Sequence, residues 1–455
     1  MTPPVAEAEA PALTEATPPS AGRGWDLLLL CLSGFILTSV ARIHQLFPLL
    51  AVIRPVTLLG TLAIALCLVD RLPRHRISAL KMPATRYLLA LVVWMALSVP
   101  GALWQGGALA TWLDFLKTAL IYLVMVTAVR TLRDVERLAL IYLLGAVIFA
   151  IMVLMRTRFQ VPLAGRTERL HYYYDSNDFA TYTVTALPLG LYFAATGRPL
   201  RRYVAYASIA VLAAGFVWSG SRGGFLALLA VVAYFLLRYT TIRRSWRWTA
   251  VVTIGVIVMA IAGDNYWARI STVLHPTADY NMTSNEGRLQ IWQRGFGYMV
   301  QHPLLGVGAG NFPRAEGTIS PLVDRVSRGK GVKWEPPHNS YLQVGAELGV
   351  PGLLLFLAFL VSVFRALRAL PVTTGPPLSS GRDTLDRARL GQSLTASIIG
   401  FAVGSFFLTL AYHDMLYILA GMAVGLRHIG LNAVLRQRYR MALNPAAFGL
   451  RRQSA

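Results

Sequence analysis

Charge is scarce in this sequence: only 14% of its 455 residues are Asp, Glu, Lys or Arg, where a soluble domain carries about a quarter. Acid is scarcer still, with 21 acidic residues against 43 basic. So little charge cannot cover an ordinary water-facing surface, and a soluble globular architecture is excluded. Cysteine is nearly absent: Cys31 and Cys67 both fall inside apolar runs, which excludes a disulfide framework and a cysteine metal site. Residues 1–24 lack the basic n-region and small-residue cleavage site of a signal peptide. They are rich in Pro, Ala, Thr and Glu and read as a disordered cytoplasmic tail.

What the chain has instead is hydrophobicity, 55% apolar residues and a mean hydropathy of +0.52. Runs of about 18 or more apolar residues recur, each long enough to cross ~30 Å of hydrocarbon as a helix. The expectation is an all-α polytopic membrane protein of about twelve spans: 25–41, 47–69, 87–103, 107–129, 137–155, 178–196, 203–219, 224–238, 248–262, 349–370, 393–412 and 414–431. The second span carries Pro48, Arg54 and Pro55, so a kink or a partly re-entrant course is expected there. With the N-terminus inside, 27 of the 43 basic residues fall on the cytoplasmic side and 14 on the outer side, as the positive-inside rule requires. Both termini are then cytoplasmic. The chain divides into a tail (1–24), nine spans (25–262), a long outer segment (263–348), three more spans (349–431) and a basic tail (432–455). The formal charge of +22 thus reports membrane topology, and no basic, aromatic-interleaved surface exists to bind nucleic acid.

The outer arginines gather in two places, the segment 156–177 and the long segment 263–348. Arginines set against the insertion preference are candidates to bind an anion. The long segment holds three notable stretches: a helix opening near Asn285, with Leu289, Trp292, Phe296 and Met299 at helical spacing; HPLLGVGAGNF from His302; and PPHNSYLQVGAELGVPG from Pro336, which starts another helix near Asn339. Gly306, Gly308 and Gly310 do not have the spacing of a dinucleotide loop and follow no strand; they read as a tight turn at the membrane surface.

Arg288 followed by Trp292, then HPLLGVGAGNF, then HNSYLQVGAELGVPG, together with YYDSNDFA (173–180) and SGSRGGF (219–225) upstream, resemble the motifs of the O-antigen ligase and polymerase superfamily, of GT-C-like architecture. The resemblance implies transfer of O-antigen glycan from undecaprenyl pyrophosphate to lipid A–core oligosaccharide at the periplasmic face of the inner membrane, inverting and independent of metal or other cofactor. It also implies His338 as the working histidine and Arg222 and Arg288 as the working arginines.

The chemistry agrees. Guanidiniums stabilise the negative charge that develops on a departing pyrophosphate, and a histidine can take the proton of a sugar hydroxyl near neutrality. Asn339, Gln343, Trp292, Glu286, Arg166, Arg169, Asp175, Asn177 and Asp178 are the candidate substrate-binding residues; Arg294 and Arg314 are lesser ones. Asp175, Asn177 and Asp178 also suit an ordinary helix N-cap; the alternative of a metal site would need His171 or His413 and Asp414. Asp114 and Lys117 sit three apart within the fourth span and read as an internal ion pair. Ser221 lacks a nucleophile-elbow context. The rival functions are an O-antigen polymerase, an O-linked protein oligosaccharyltransferase and, in another class, a lipid-linked sugar transporter, which would show two halves of matching pattern.

Overall fold

The computed structural model describes residues 25–45, 47–69, 80–158, 175–197, 199–240, 242–271, 287–323, 334–368, 370 and 381–443. Arg166, Arg169, Glu286, Asn285, His171 and the tail 1–24 lie outside the described residues. Among those described, every regular element is helical. The order is α1 (Leu27–Ala41), α2 (Pro48–Ile53), α3 (Pro55–Val69), α4 (Pro83–Ser98), α5 (Gln105–Ala128), α6 (Leu132–Arg158), α7 (Ser176–Thr196) and α8 (Pro199–Ser219). There follow α9 (Arg222–Arg238), α10 (Arg244–Ile261), α11 (Asp264–Ser271), α12 (Arg288–Gln301), α13 (Phe312–Thr318), α14 (Ser340–Arg368), α15 (Gly381–Gly404) and α16 (Asp414–Leu443).

Among the described residues a helix lies over each expected span, and six helices are long and apolar enough to cross a membrane. Three shorter apolar helices, α1, α3 and α4, accompany them. This is a multi-pass membrane protein. The expected kink is a break: Arg54 stands between α2 and α3 with a φ of 49°, and Pro55, which cannot donate to the preceding turn, opens α3.

The core is built around α16, whose apolar window is 83% buried. Its Met415, Leu416, Leu419, Met422 and Val424 pack with Phe115, Met125, Tyr142, Phe359 and Leu394 from α5, α6, α14 and α15. Helices buried in a membrane protein approach through small residues; a Cβ on Gly421 would stand 2.7 Å from Met125 Sδ.

One expectation about side-chain placement needs correction. The Asp114–Lys117 pair forms at 2.7 Å, but with side chains 75% and 63% exposed; it lies on the outward face of α5, not inside the bundle. Helix α12 begins at Arg288 and buries Ile291, Gly295 and Tyr298, while Leu289 and Phe296 are exposed. Gly295 sets this orientation, because its bare Cα lets Phe312 and Leu342 approach where a Cβ would stand 2.8 and 2.9 Å from them. Both sides of this helix carry apolar residues, so spacing alone could not say which side turned in.

The glycine turn is where the outer layer locks to the bundle. Val307 and Gly308 donate backbone N–H bonds to the carbonyls of Ala346 and Glu347 (2.9 and 3.0 Å), and Val350 donates to Pro303 (2.8 Å). The carbonyls are presented because α14 breaks at Gly349, whose φ of 69° lies in the left-handed region. Gly306, with a φ of 66°, comes so close that a Cβ would fall 2.3 Å from the carbonyl carbon of Glu347.

Candidate functional site

The site forms where the start of α14 meets the starts of α7, α9 and α12. Pro336 and Pro337 lead, outside any regular element, to His338, whose backbone turns left-handed with a φ of 47°. That conformation costs a non-glycine residue about 1–2 kcal/mol, and two anchors hold it. The His338 N–H donates to Thr409 Oγ1 at 3.0 Å; the Trp292 indole N–H donates to the Pro337 carbonyl at 2.9 Å.

The next residues fix the helix. Asn339 Oδ1 accepts from the N–H groups of Tyr341 and Leu342, both at 3.0 Å, which is N-cap geometry. The Ser340 hydroxyl donates to the Leu408 carbonyl and accepts from Leu410 N–H, each at 2.8 Å. Gln343 Oε1 accepts from Ala411 N–H at 3.3 Å. Asn339 and Gln343 are 5% and 6% exposed, so both spend their amide oxygens on the scaffold under His338.

The His338 side chain is 28% exposed, with Nε2 4.0 Å from the Glu335 carboxylate. Burial, then the positive charge of Arg288, push its pKa down to about 4, while Asp175 acts the other way. The imidazole is therefore neutral near pH 7 and free to accept a proton. Arg288, the first residue of α12, and Asp175 thus both act on His338, from opposite signs.

Asp175 caps α7, accepting from Asn177 N–H (2.7 Å) and Asp178 N–H (3.4 Å). Asn177 Oδ1 accepts the Ser221 hydroxyl at 2.7 Å, and Ser221 Oγ caps α9 by accepting from Gly224 N–H at 3.0 Å. Ser221 is thus the N-cap of α9. Arg222 opens α9 beside it, where the two glycines that follow permit tight packing: a Cβ on Gly224 would stand 2.5 Å from Ala180, and one on Gly223 would stand 2.9 Å from Phe407. The starts of α7 and α9 are in this way tied together, bringing Arg222 to the end of the bundle that holds His338. Asp178 acts electrostatically on a neighbouring half-buried cluster, in which the His413 imidazole lies 2.7 Å from the Asp414 carboxylate and near the Tyr182 hydroxyl at 3.5 Å. Among the described residues no three His, Cys, Asp or Glu gather as a metal site.

Sequence reasoning missed Thr409 and Glu335. Glu335 stands one residue before the quoted stretch that begins at Pro336 and could have been noticed. Thr409 had no signal, being 71 residues from its partner.

Residues 207–357, which run from α8 into α14 and hold Arg222, Arg288, Trp292, His338, Asn339 and Gln343, match the family model described as O-antigen ligase. Over that segment, a third of its length, the chain is similar to the O-antigen ligase family. Over 84 residues it is 32% identical to a Rickettsia conorii (strain ATCC VR-613 / Malish 7) protein named "Putative polysaccharide ligase", a match covering 18% of this chain and 20% of that relative. The match thus spans a fifth of the relative's length. The family segment leaves out Asp175, Asn177 and Asp178, which reach the site from α7.

Proposed function

We propose that the protein is an O-antigen ligase, moving O-antigen glycan from undecaprenyl pyrophosphate to lipid A–core at the periplasmic face of the inner membrane. The observation that carries this reading is His338: a neutral, partly open imidazole on a pinned left-handed backbone, with Arg288 charged beside it. In the proposed step an acceptor hydroxyl oxygen attacks the anomeric carbon from the face opposite the diphosphate. The bond from that carbon to the diphosphate oxygen breaks, and its electron pair leaves on the diphosphate. The hydroxyl proton passes to His338, and the anomeric configuration inverts.

Arg288 and Arg222 neutralise the charge growing on the leaving group. Arg288 and Arg222 are also the first residues of α12 and α9, where the helix N-termini add favourable potential for an anion. A diphosphate beside Arg288 brings negative charge toward His338 and raises its basicity when the donor is bound. The base is thus weak in the empty enzyme and stronger in the complex.

The experiment is transfer by purified protein from undecaprenyl-pyrophosphate glycan to lipid A–core, with EDTA present, comparing the native protein with His338→Ala. Glycan appearing on lipid A–core only with the native protein supports the reading. Lengthening of the donor glycan with lipid A–core untouched makes the protein a polymerase instead.

A further inference from the structure

Arg314 was a lesser candidate in the sequence, and the proposed transfer step does not use it. Its setting is unlike that of any other arginine described above. The guanidinium carbon lies 5.2 Å from the centroid of the Trp334 ring and 5.9 Å from that of Trp104, so two indoles from distant parts of the chain bracket it. Both indoles are open at the surface, 52% and 55% exposed. Neither hangs loose. Trp104 precedes α5 and its ring lies along Gly106 and Gly107, where a Cβ on Gly107 would come 2.3 Å from Cε3. Its carbonyl accepts from Asn311 Nδ2 at 3.3 Å. Trp334 lies against Gly317 of α13, where a Cβ would come 2.3 Å from the indole.

Glu316, the one carboxylate on α13, is spent on Arg294, whose Nε–H is shared between its two oxygens at 3.0 Å each, and on the Tyr298 hydroxyl at 2.7 Å. Among the described residues no carboxylate pairs with Arg314. A planar guanidinium steered by aromatic faces keeps its N–H edge for a bidentate acceptor. Exposed indole alongside it offers a flat apolar face to the C–H side of a pyranose ring. Tryptophans that merely anchor a protein at lipid headgroups need neither the glycine seats nor the clamped cation.

We propose that Arg314, with Trp104 and Trp334, forms a subsite for a sugar bearing a carboxylate or a phosphate. It rests on the ligase reading, as the place where one of the two glycan substrates is gripped away from the reacting bond. Trp334 precedes Glu335, which lies 4.0 Å from His338, and four residues reach at most about 14 Å; the anionic sugar sits within a few rings of the transferred linkage.

The test uses the full-length protein in detergent free of phospholipid, with glucuronic acid, glucose 6-phosphate and glucose as probes, followed by saturation-transfer NMR. The two anionic sugars bind the native protein and glucose does not, and Arg314→Gln loses that binding; Arg314→Lys, a charge without the fork, recovers it only in part. Intact lipid A–core or the lipid-linked donor glycan then displaces the probe, and whichever does so is the substrate held here. In transfer assays Arg314→Gln raises the KM for that substrate about tenfold or more with kcat nearly unchanged. Equal binding of glucose, probe binding undiminished in a folded Arg314→Gln protein, or displacement by neither glycan overturns the inference. His338→Ala separates the two ideas: it stops transfer while leaving probe binding intact, so a failed ligase reading and a failed subsite give different results.

Discussion

Replacing Arg288 with Gln isolates the electrostatics of the proposed base. An ordinary histidine titrates near 6.5, and the gap from there to about 4 in this site disfavours the imidazolium by on the order of 3 kcal/mol. Burial supplies the larger part and Arg288 the next, with Asp175 opposing. The Arg288→Gln change therefore moves the His338 pKa upward, but not to 6.5, because burial remains. Asp175→Asn moves it downward and keeps a side chain able to cap α7. The base works only when deprotonated, so the acid limb of kcat/KM against pH reports this pKa in the free enzyme. Arg288→Gln shifts that limb to higher pH, and Asp175→Asn shifts it to lower pH. Ionisation of the diphosphate substrate is common to all three proteins and cancels in the comparison. On the plateau, losing a charged contact to the leaving group costs about 1.5–3 kcal/mol, or roughly 10- to 100-fold in rate. Limbs that stay put in both variants, or move in the same direction, would refute the placement of His338 between the two charges.

Other perturbations address the scaffold. Gly306→Ala puts a Cβ 2.3 Å from the Glu347 backbone at a φ of 66°, so it should destabilise by more than about 2 kcal/mol; an unchanged melting temperature of the detergent-solubilised protein would contradict that. Arg294→Met leaves the Glu316 carboxylate, 1% exposed, buried without its cation, a loss of about 3–5 kcal/mol visible in the same thermal scan. Ser221→Ala removes one cap and the bond to Asn177, costing about 1 kcal/mol and slowing transfer while leaving measurable turnover. Complete inactivity of a folded Ser221→Ala protein would return Ser221 to the chemistry.

Much of the fold was legible because lipid-crossing helices announce themselves by length and hydropathy, and Pro48, Arg54 and Pro55 marked the break between α2 and α3. Motif order likewise drew attention to His338, Arg222 and Arg288. Illegible were facts that depend on partners far along the chain. The apolar spacing in α12 fitted either side of the helix until Phe312 and Leu342 met Gly295. The amide oxygens of Asn339 and Gln343 go to the backbone of residues 341, 342 and 411, a scaffold role that their place beside the histidine did not announce. Asp114 and Lys117 share a helix face at any orientation, so their spacing predicted the pair without saying which way it pointed.

The ledge on which His338 stands has one further consequence. Its backbone hangs from Thr409, and the helix behind it is stitched to Leu408, Leu410 and Ala411, all beyond the stretch 207–357 that carries the family likeness. The recognisable segment is therefore not a unit of folding. Grafted alone into another helical bundle, it would bring the histidine but leave its hinge pins behind. Two proteins that share this segment can keep the same motif and still differ in how stiffly they present the histidine, through substitutions in a short connector that no motif search would flag.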